Sequence, residues 1–515
     1  MDDQAPIFAF LARPDTHGID TPVTRIDTHG AVVFLAGPDA YKVKRAVRYP
    51  FLDFSTLEKR HAACLGEMAV NGDNAPGLYL GVVPVTRTAE GLRLGGSGEV
   101  VEWAVHLRRF DETQTLDRLK GAGFADPLLA ALATRIRESH DRAPVRMDPA
   151  VTEAFAREAR STLEDLRHGA RGLPAPQVAA YADAAGDALS AARPLMEARR
   201  EAGCIRRCHG DLHLRNIVLI EGAPVLFDAI EFNDAIATCD TLYDLAFLLM
   251  DLLHHGLRHE ACLLLNRMLW GAADGDIARD VEGLALLPLF LSLRAAIRAK
   301  VAFDLAALRG ANAEAADADG RAYFDTARHL LLPDAPPGAP PRLVAVGGLS
   351  GTGKSTLAAR LAPELGAAPG AVHLRSDIER KRLFGAGELE RLPPDAYAPD
   401  VTARTYARLR TLAGRALAAG RSVVVDAVHA HPDERAAIAA VARTHGAAFT
   451  GLWLEAPADL LRARVEARRN DASDATPEVV DRQERYEIGE LAWARLDARL
   501  PLPELGRQAA ALMRG

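Results

Sequence analysis

Residues 347–356 read GGLSGTGKST, and 348–355 within them spell G-x-x-x-x-G-K-S. The apolar run LVAV precedes them at 343–346, and the helix-forming stretch TLAARLA follows. Strand, glycine-rich loop and helix in that order make a phosphate-binding loop. Glycines let backbone N–H groups turn inward around phosphate oxygens, and the helix start adds a positive dipole end. Gly348, Ser350, Gly351, Thr352, Gly353, Lys354, Ser355 and Thr356 are therefore expected to contact ATP. Lys354 should reach the β- and γ-phosphates, and Ser355 should ligate Mg2+. Around this loop, apolar runs at 343–347, 371–375, 422–426 and 448–455 alternate with helical patterns, which predicts an α/β P-loop NTPase domain with a parallel sheet.

The segments beyond the loop separate a kinase from a motor ATPase. LRSDIERKR puts Asp377 at the carboxyl end of the second strand, where ligands meet an open α/β sheet. Asp377 there is placed to accept the proton of an acceptor hydroxyl, and Arg380 to hold acceptor or phosphate. Ser376 or Asp377 also suits a helix N-cap. SVVVD ends in Asp426, a candidate for substrate or for the magnesium water shell, or a plain strand-end residue. LLRARVEARRND sets Arg464 and Arg468 four apart on one expected helix face, as an ATP-binding lid or as a solvated basic surface. This half resembles the small P-loop kinases: gluconate kinase, zeta-toxin-like kinases and the kinase domain of polynucleotide kinases. In several of those the aspartate after the second strand is the base, which implies catalysis by Asp377.

The first half is read from CHGDLHLRNIVL at 208–219. Asp211 and Asn216 are five apart on a loop entering a strand. The strand IVLI pairs across the turn EGAP with PVLFD, which ends at Asp228. Phosphoryl transfer needs a group to orient and deprotonate a hydroxyl, and hard oxygen ligands for magnesium. The segment resembles the aminoglycoside phosphotransferase and choline kinase-like family, distant relatives of protein kinases. That resemblance implies a two-lobed α+β protein-kinase-like domain, with Asp211 catalytic and Asn216 and Asp228 as metal ligands. It implies a structural helix start at Asp240 and Asp244. AYK at 40–42 resembles the strand that presents the phosphate-binding lysine, so Lys42 is the ATP-binding candidate. Lys44 shares its face and stays open as the alternative. Glu67, in the following helix, is a candidate ion-pair partner, and Ser55 with Glu58 reads as the capping box that opens this helix. EWAVHLRRF, ending at Phe110, reads as a hinge strand beside adenine or a plain core strand. No G-x-G-x-x-G precedes the lysine strand, so THG and GPD must cover the phosphates. Ala229-Ile230 stand where protein kinases carry Phe-Gly.

A chain of 515 residues exceeds what one hydrophobic core organises. The stretch 331–342, LLPDAPPGAPPR, holds five prolines and cannot continue a helix. The expected division is therefore a kinase-like domain over 1–332, a proline-rich linker over 333–341 and a P-loop kinase domain over 342–515. Both halves in this order resemble bacterial proteins described as bifunctional aminoglycoside phosphotransferase/ATP-binding proteins. A net charge of -7 gives no general attraction to nucleic acid or anionic membrane. The N-terminus has no secretory pattern, and the apolar run 284–293 is too short to span a bilayer, so a cytoplasmic enzyme is expected. Five cysteines without regular spacing read as buried thiols. The favoured function is ATP- and Mg2+-dependent phosphorylation of hydroxyls on small polar substrates by both halves. A 5′-hydroxyl polynucleotide kinase, motivated by the arginines of 462–469, and a nucleotide-sensing regulatory ATPase are the competing readings.

Overall fold

A computed structural model describes residues 3–514 except 29, 50, 51, 171, 308–312, 333–339 and 470. The proline-rich segment therefore falls largely outside the described residues, as does the histidine of THG. The chain divides into two compact units, Met1–Ala159 with Met196–Leu248 and Arg160–Leu195 with Leu249–Gly515. This division does not follow the proline-rich segment, because the helices over 249–331 cluster with the P-loop sheet.

The first unit is built on a six-stranded antiparallel sheet. Its strands are β1 Thr24–Asp27, β2 Ala31–Ala36, β3 Asp39–Lys44, β4 Tyr79–Thr88, β5 Gly91–Leu94 and β6 Glu99–Arg108, in the order β1-β2-β3-β6-β4-β5. Alternation puts Val32, Phe34 and Val43 inward with Val85 and Ala104, all fully buried. Helix α1, Leu57–Asn71, packs against this sheet. Its N-cap is Thr56, whose side chain accepts from the Lys59 N–H at 3.4 Å. The expected cap Ser55 instead donates its hydroxyl to Asp53 at 2.6 Å, so the helix opens one residue later. The buried stripe of α1 includes Arg60, Glu67 and Asn71 beside Ala63 and Cys64. An inward helix face is ordinarily apolar. Three polar residues there point to a site.

Two further strands, β7 Ile217–Ile220 and β8 Ala223–Leu226, form the expected hairpin with Ile217 opposite Leu226. Glu221 and Gly222 both take positive φ (52° and 80°), which matches the right-handed twist of a tight hairpin. Helix α2, Thr241–His254, follows. Asp240 starts it, accepting the Leu242 N–H at 2.8 Å and pairing with the Arg199 guanidinium at 2.6 and 2.7 Å.

The second unit carries a five-stranded parallel sheet of β9 Arg342–Gly348, β10 Val372–Arg375, β11 Val423–Asp426, β12 Ala448–Glu455 and β13 Ala494–Asp497. The order is β10-β11-β9-β12-β13. The sheet matches the alternating pattern, with one strand the sequence did not reveal, β13. Val344, Val346, Val424 and Leu452 are fully buried, as both faces of a parallel sheet require. Helix α3, Arg258–Trp270, lies along the outer edge of β10. Its Asn266 donates to the Ala371 carbonyl at 3.1 Å and accepts the His373 N–H at 2.7 Å. One side-chain amide thus makes the two bonds a neighbouring strand would make. The Trp270 indole N–H adds a bond to the His373 carbonyl at 2.7 Å. Among the described residues no helix is long and apolar enough to cross a membrane. All five cysteines are buried and free.

Candidate active sites

In the first unit, the strand period and the helix period converge on one ion cluster. Lys42 Nζ lies 2.9 Å from Glu67 Oε1 and 2.6 Å from Asp228 Oδ1. The three residues come from β3, α1 and the segment just past β8. Burial works against the charge on Lys42, but Asp228 and Glu67 outweigh it and raise its pKa well above the ordinary lysine value. Burial likewise opposes ionisation of Glu67, and two lysines hold it down at about 2. Lys44, left open as the alternative, is the more deeply buried of the two lysines. It pairs with the other oxygen of Glu67 at 2.5 Å and with Glu231.

Asp228 adopts φ +60°, a left-handed conformation that costs a non-glycine residue free energy of order 1 kcal/mol or more. Two bonds hold it there. Its N–H donates to Tyr79 Oη at 3.1 Å, and the next N–H, of Ala229, donates to Asn71 Oδ1 at 2.8 Å. Asn71 was not singled out in the sequence. It is the buried polar residue one helical turn after Glu67.

The loop carrying Asp211 is fixed from below. Gly210 takes φ +82°, and a Cβ there would come within 3.2 Å of Ala237 and Ile230, so glycine is required. Its N–H donates to Asp244 Oδ1 at 2.8 Å, and Asp244 Oδ2 meets His140 Nε2 at 3.0 Å. Asp244 is thus more than the helix-start residue expected: it anchors the loop. Cys208 lies in the same buried group as His140 and Asp244. A hydrogen bond to Cys239 and burial push its thiol well above the ordinary cysteine range. Asn216 Nδ2 donates to Asp211 Oδ2 at 2.9 Å and to the Asp211 carbonyl at 3.0 Å. The amide nitrogen is spent on the aspartate, which turns Asn216 Oδ1 the other way as a hard oxygen donor. The Asp228 side chain is 43% exposed and meets Lys42 through one oxygen. Amide and carboxylate oxygens are the hard donors that magnesium takes.

In the second unit the phosphate loop stands between β9 and helix α4, Lys354–Leu361. Gly351 has φ +85°, and a Cβ would fall 2.6 Å from the Leu461 carbonyl. Gln483 Oε1 accepts the Ser350 N–H at 2.7 Å and props the loop from helix 477–483, a contact 133 residues away and invisible in the motif. Lys354 Nζ donates to the Leu349 carbonyl at 3.0 Å, and burial lowers its pKa. A cavity of about 390 Å³ is lined by Ser350, Gly351, Gly353, Lys354, Ser355 and Thr356 and, opposite them, by Asp377, Arg380, Asp426 and Arg468. Gly348 and Thr352 shape the loop instead: a Cβ on Gly348 would meet the Leu454 carbonyl at 2.6 Å, and Thr352 donates its hydroxyl to the Leu349 carbonyl at 2.7 Å.

Asp377 lies in the first turn of helix α5, Ser376–Leu383, whose N-cap is Arg375 with no side-chain cap bond. Neither Ser376 nor Asp377 is therefore the cap. Burial raises the Asp377 pKa, with Arg375 and Lys354 pulling against it. Asp426 is more deeply buried than the half-buried Asp377, and burial alone would raise its pKa. His373 at 3.7 Å, Lys354 and Arg375 more than offset that and hold it at about 2. Two carboxylates in one cavity thus have their pKa values pushed in opposite directions. Arg380 donates to the Ala396 carbonyl at 2.7 Å and lies over the Tyr397 ring.

The expected helix face of Arg464 and Arg468 is not formed. Helix α6, Ala458–Ala467, ends before Arg468, which is an extended C-cap, so Arg464 and Arg468 do not share a helix face. Arg464 donates to the Ala498 carbonyl at 2.9 Å, while Arg468 lines the cavity 3.7 Å from Asp471. Arg462 is held by Asp459, Asp481 and Glu484. Of the arginines that motivated nucleic-acid binding, Arg462 is thereby neutralised, whereas Arg464 and Arg469 donate only to backbone carbonyls. Asp471 also meets Arg375 at 3.0 Å, a tie between β10 and the segment after α6 that the sequence did not suggest.

Beside this site, His429 is 1% exposed between the Tyr406 and Trp493 rings, and among the described residues neither ring nitrogen has a hydrogen-bond partner. Burial holds its pKa at about 3, against 6.5 for an ordinary histidine. Above pH 6.5 the ring is neutral folded or unfolded. Between 6.5 and 3 the unfolded chain takes a proton that the folded one refuses, so stability falls with pH by up to roughly 1.4 kcal/mol per unit. His429→Phe is expected to flatten the decline of melting temperature between about pH 7 and 5 by one proton's worth. An unchanged decline would refute this assignment.

A family model described as an AAA domain, AAA_33, matches residues 343–487. Fold, phosphate loop and family model together define this part of the chain as a P-loop AAA-type domain. Over nearly its whole length it is 31% identical, across 477 residues, to an uncharacterized protein of Mycobacterium tuberculosis, Rv2004c, covering 90% of each chain. An uncharacterized protein of Mycobacterium bovis, Mb2027c, matches with the same figures. The chain belongs to the family of these proteins. Among solved structures, it is similar to a choline/ethanolamine kinase family protein from Mesorhizobium loti, with 15% identity, 64% of this chain and 98% of that one, and TM-score 0.37. It is also similar to a sugar kinase from Janibacter, with 21% identity, 34% and 95% coverage, and TM-score 0.27.

Proposed function

We propose that the chain is a double phosphotransferase, each unit moving the γ-phosphate of ATP to a hydroxyl of a small polar molecule in the cytoplasm. The observation that carries the reading is the meeting of Lys42, Glu67 and Asp228, residues 25 and 186 positions apart, within hydrogen-bond distance. A phosphate loop alone would leave the first unit without a role.

In the first unit Asp211 receives the acceptor. Its Oδ2 is held by Asn216, which orients the carboxylate that accepts the proton of an incoming hydroxyl. Lys42 holds ATP phosphate once it lets go of Asp228. Magnesium, held by Asn216 and Asp228, supplies charge neutralisation on the phosphates. In the second unit Lys354 exchanges the Leu349 carbonyl for a phosphate oxygen. Asp377, with its raised pKa, takes the acceptor proton, and Arg468 faces the transferred group. Ser355 and Asp426 are the groups for magnesium there. A cavity of about 390 Å³ that must also admit phosphate favours a small acceptor over a polymer.

The test is transfer of labelled γ-phosphate from ATP into fractionated cell extract by the wild type, Asp211→Asn and Lys354→Ala. A product lost in one variant assigns that reaction to one unit. Loss in both indicates successive phosphorylation of one molecule. Release of free phosphate alone would refute the proposal and favour a nucleotide-sensing ATPase.

A further inference from the structure

Lys44 is 2% exposed on a strand of a small sheet, a place where valine or isoleucine would be cheaper. A buried ion cluster is weak evidence for stability, since desolvation of the charges offsets their attraction. The cluster therefore asks for another reason. Lys42 and Lys44 stand two apart on β3 and so share a face. Each takes one oxygen of the fully buried Glu67, Lys42 taking Oε1 and Lys44 taking Oε2. Lys44 is in turn paired with Glu231, three residues past Asp228, and its ammonium lies 5.5 Å over the Phe54 ring. Its own carbonyl accepts from Gln4 at 2.8 Å, which fixes the strand at that point.

We propose that Lys44 is a positioning residue of the first ATP site: with Glu231 it pins Glu67, so that Lys42 is aimed at phosphate and is only half neutralised by the glutamate. This rests on the reading of the first unit as an ATP site. Without Lys44, both oxygens of Glu67 turn to Lys42, which then holds the carboxylate instead of the nucleotide. Glu231 would be left buried without its cation.

The experiment uses the full chain carrying Lys354→Ala, so that nucleotide binding reports the first unit. Binding of labelled ATP with magnesium and thermal melting are measured for Lys42→Met, Lys44→Met and the pair Lys44→Met with Glu231→Gln. Lys44→Met is expected to lower both melting temperature and ATP affinity, the latter about tenfold. The pair removes the stranded carboxylate, so it should regain melting temperature but not affinity. Affinity restored along with melting temperature would make Lys44 a merely structural counter-charge and overturn the proposal. So would unchanged affinity in Lys44→Met. Unchanged affinity in Lys42→Met would instead overturn the reading of the first unit as an ATP site.

Discussion

Asp211→Asn is expected to lower phosphate transfer by the first unit about 10²–10⁴-fold, with ATP affinity little changed. The substitution keeps size and shape but removes the proton acceptor. It also sets two amides against each other, because Asn216 Nδ2 now donates to Asp211 Oδ2. The loop itself should hold, since Gly210 is anchored on Asp244, outside the change. Loss confined to kcat is the signature of a group that acts in the transition state. A comparable loss of ATP affinity would show that Asp211 holds the nucleotide side, and would move the acceptor elsewhere.

Lys354→Ala is expected to cost the second unit about 10²–10³-fold in turnover, as removal of a preorganised charge at a developing phosphate charge does. Here the effect on nucleotide binding should be large as well. The ammonium is buried, and its present partner, the Leu349 carbonyl, lies in the loop that must wrap the phosphates. The first unit's transfer should be untouched, which makes the variant a clean partner to Asp211→Asn. Residual activity near that of the wild type would mean that the loop cradles something other than the reacting phosphate.

The two sites were legible to different depths. The phosphate loop is local: strand, turn and helix follow one another within fifteen or so residues, and each glycine has a backbone reason. Asp377 and Asp426 follow from it, because strand ends in a parallel sheet gather at one edge. The hairpin that carries Asp228 was likewise readable from IVLI, EGAP and PVLFD. Glu67 was harder, since any helix offers several acids, and only the register of α1 on the sheet turns that one inward. The face that Arg464 was expected to share with Arg468 does not form, for a local reason: the helix stops at Ala467, and a spacing of four has meaning only while the helix lasts. Gln483 and Asn71 could not be read at all. A neutral amide bonding a backbone N–H across the fold leaves no periodicity, charge pattern or motif behind. The same holds for Asp244, whose partner Gly210 is 34 residues away.

Asn266 has a practical consequence for anyone who dissects the chain. Severed at the proline-rich stretch, a fragment beginning at 342 would leave the Ala371 carbonyl and the His373 N–H bare along β10. An unpaired outer strand recruits strands from other molecules. Self-association of such a fragment would then report the missing helix rather than any property of the catalytic centre, and a soluble P-loop fragment is better begun upstream of Arg258.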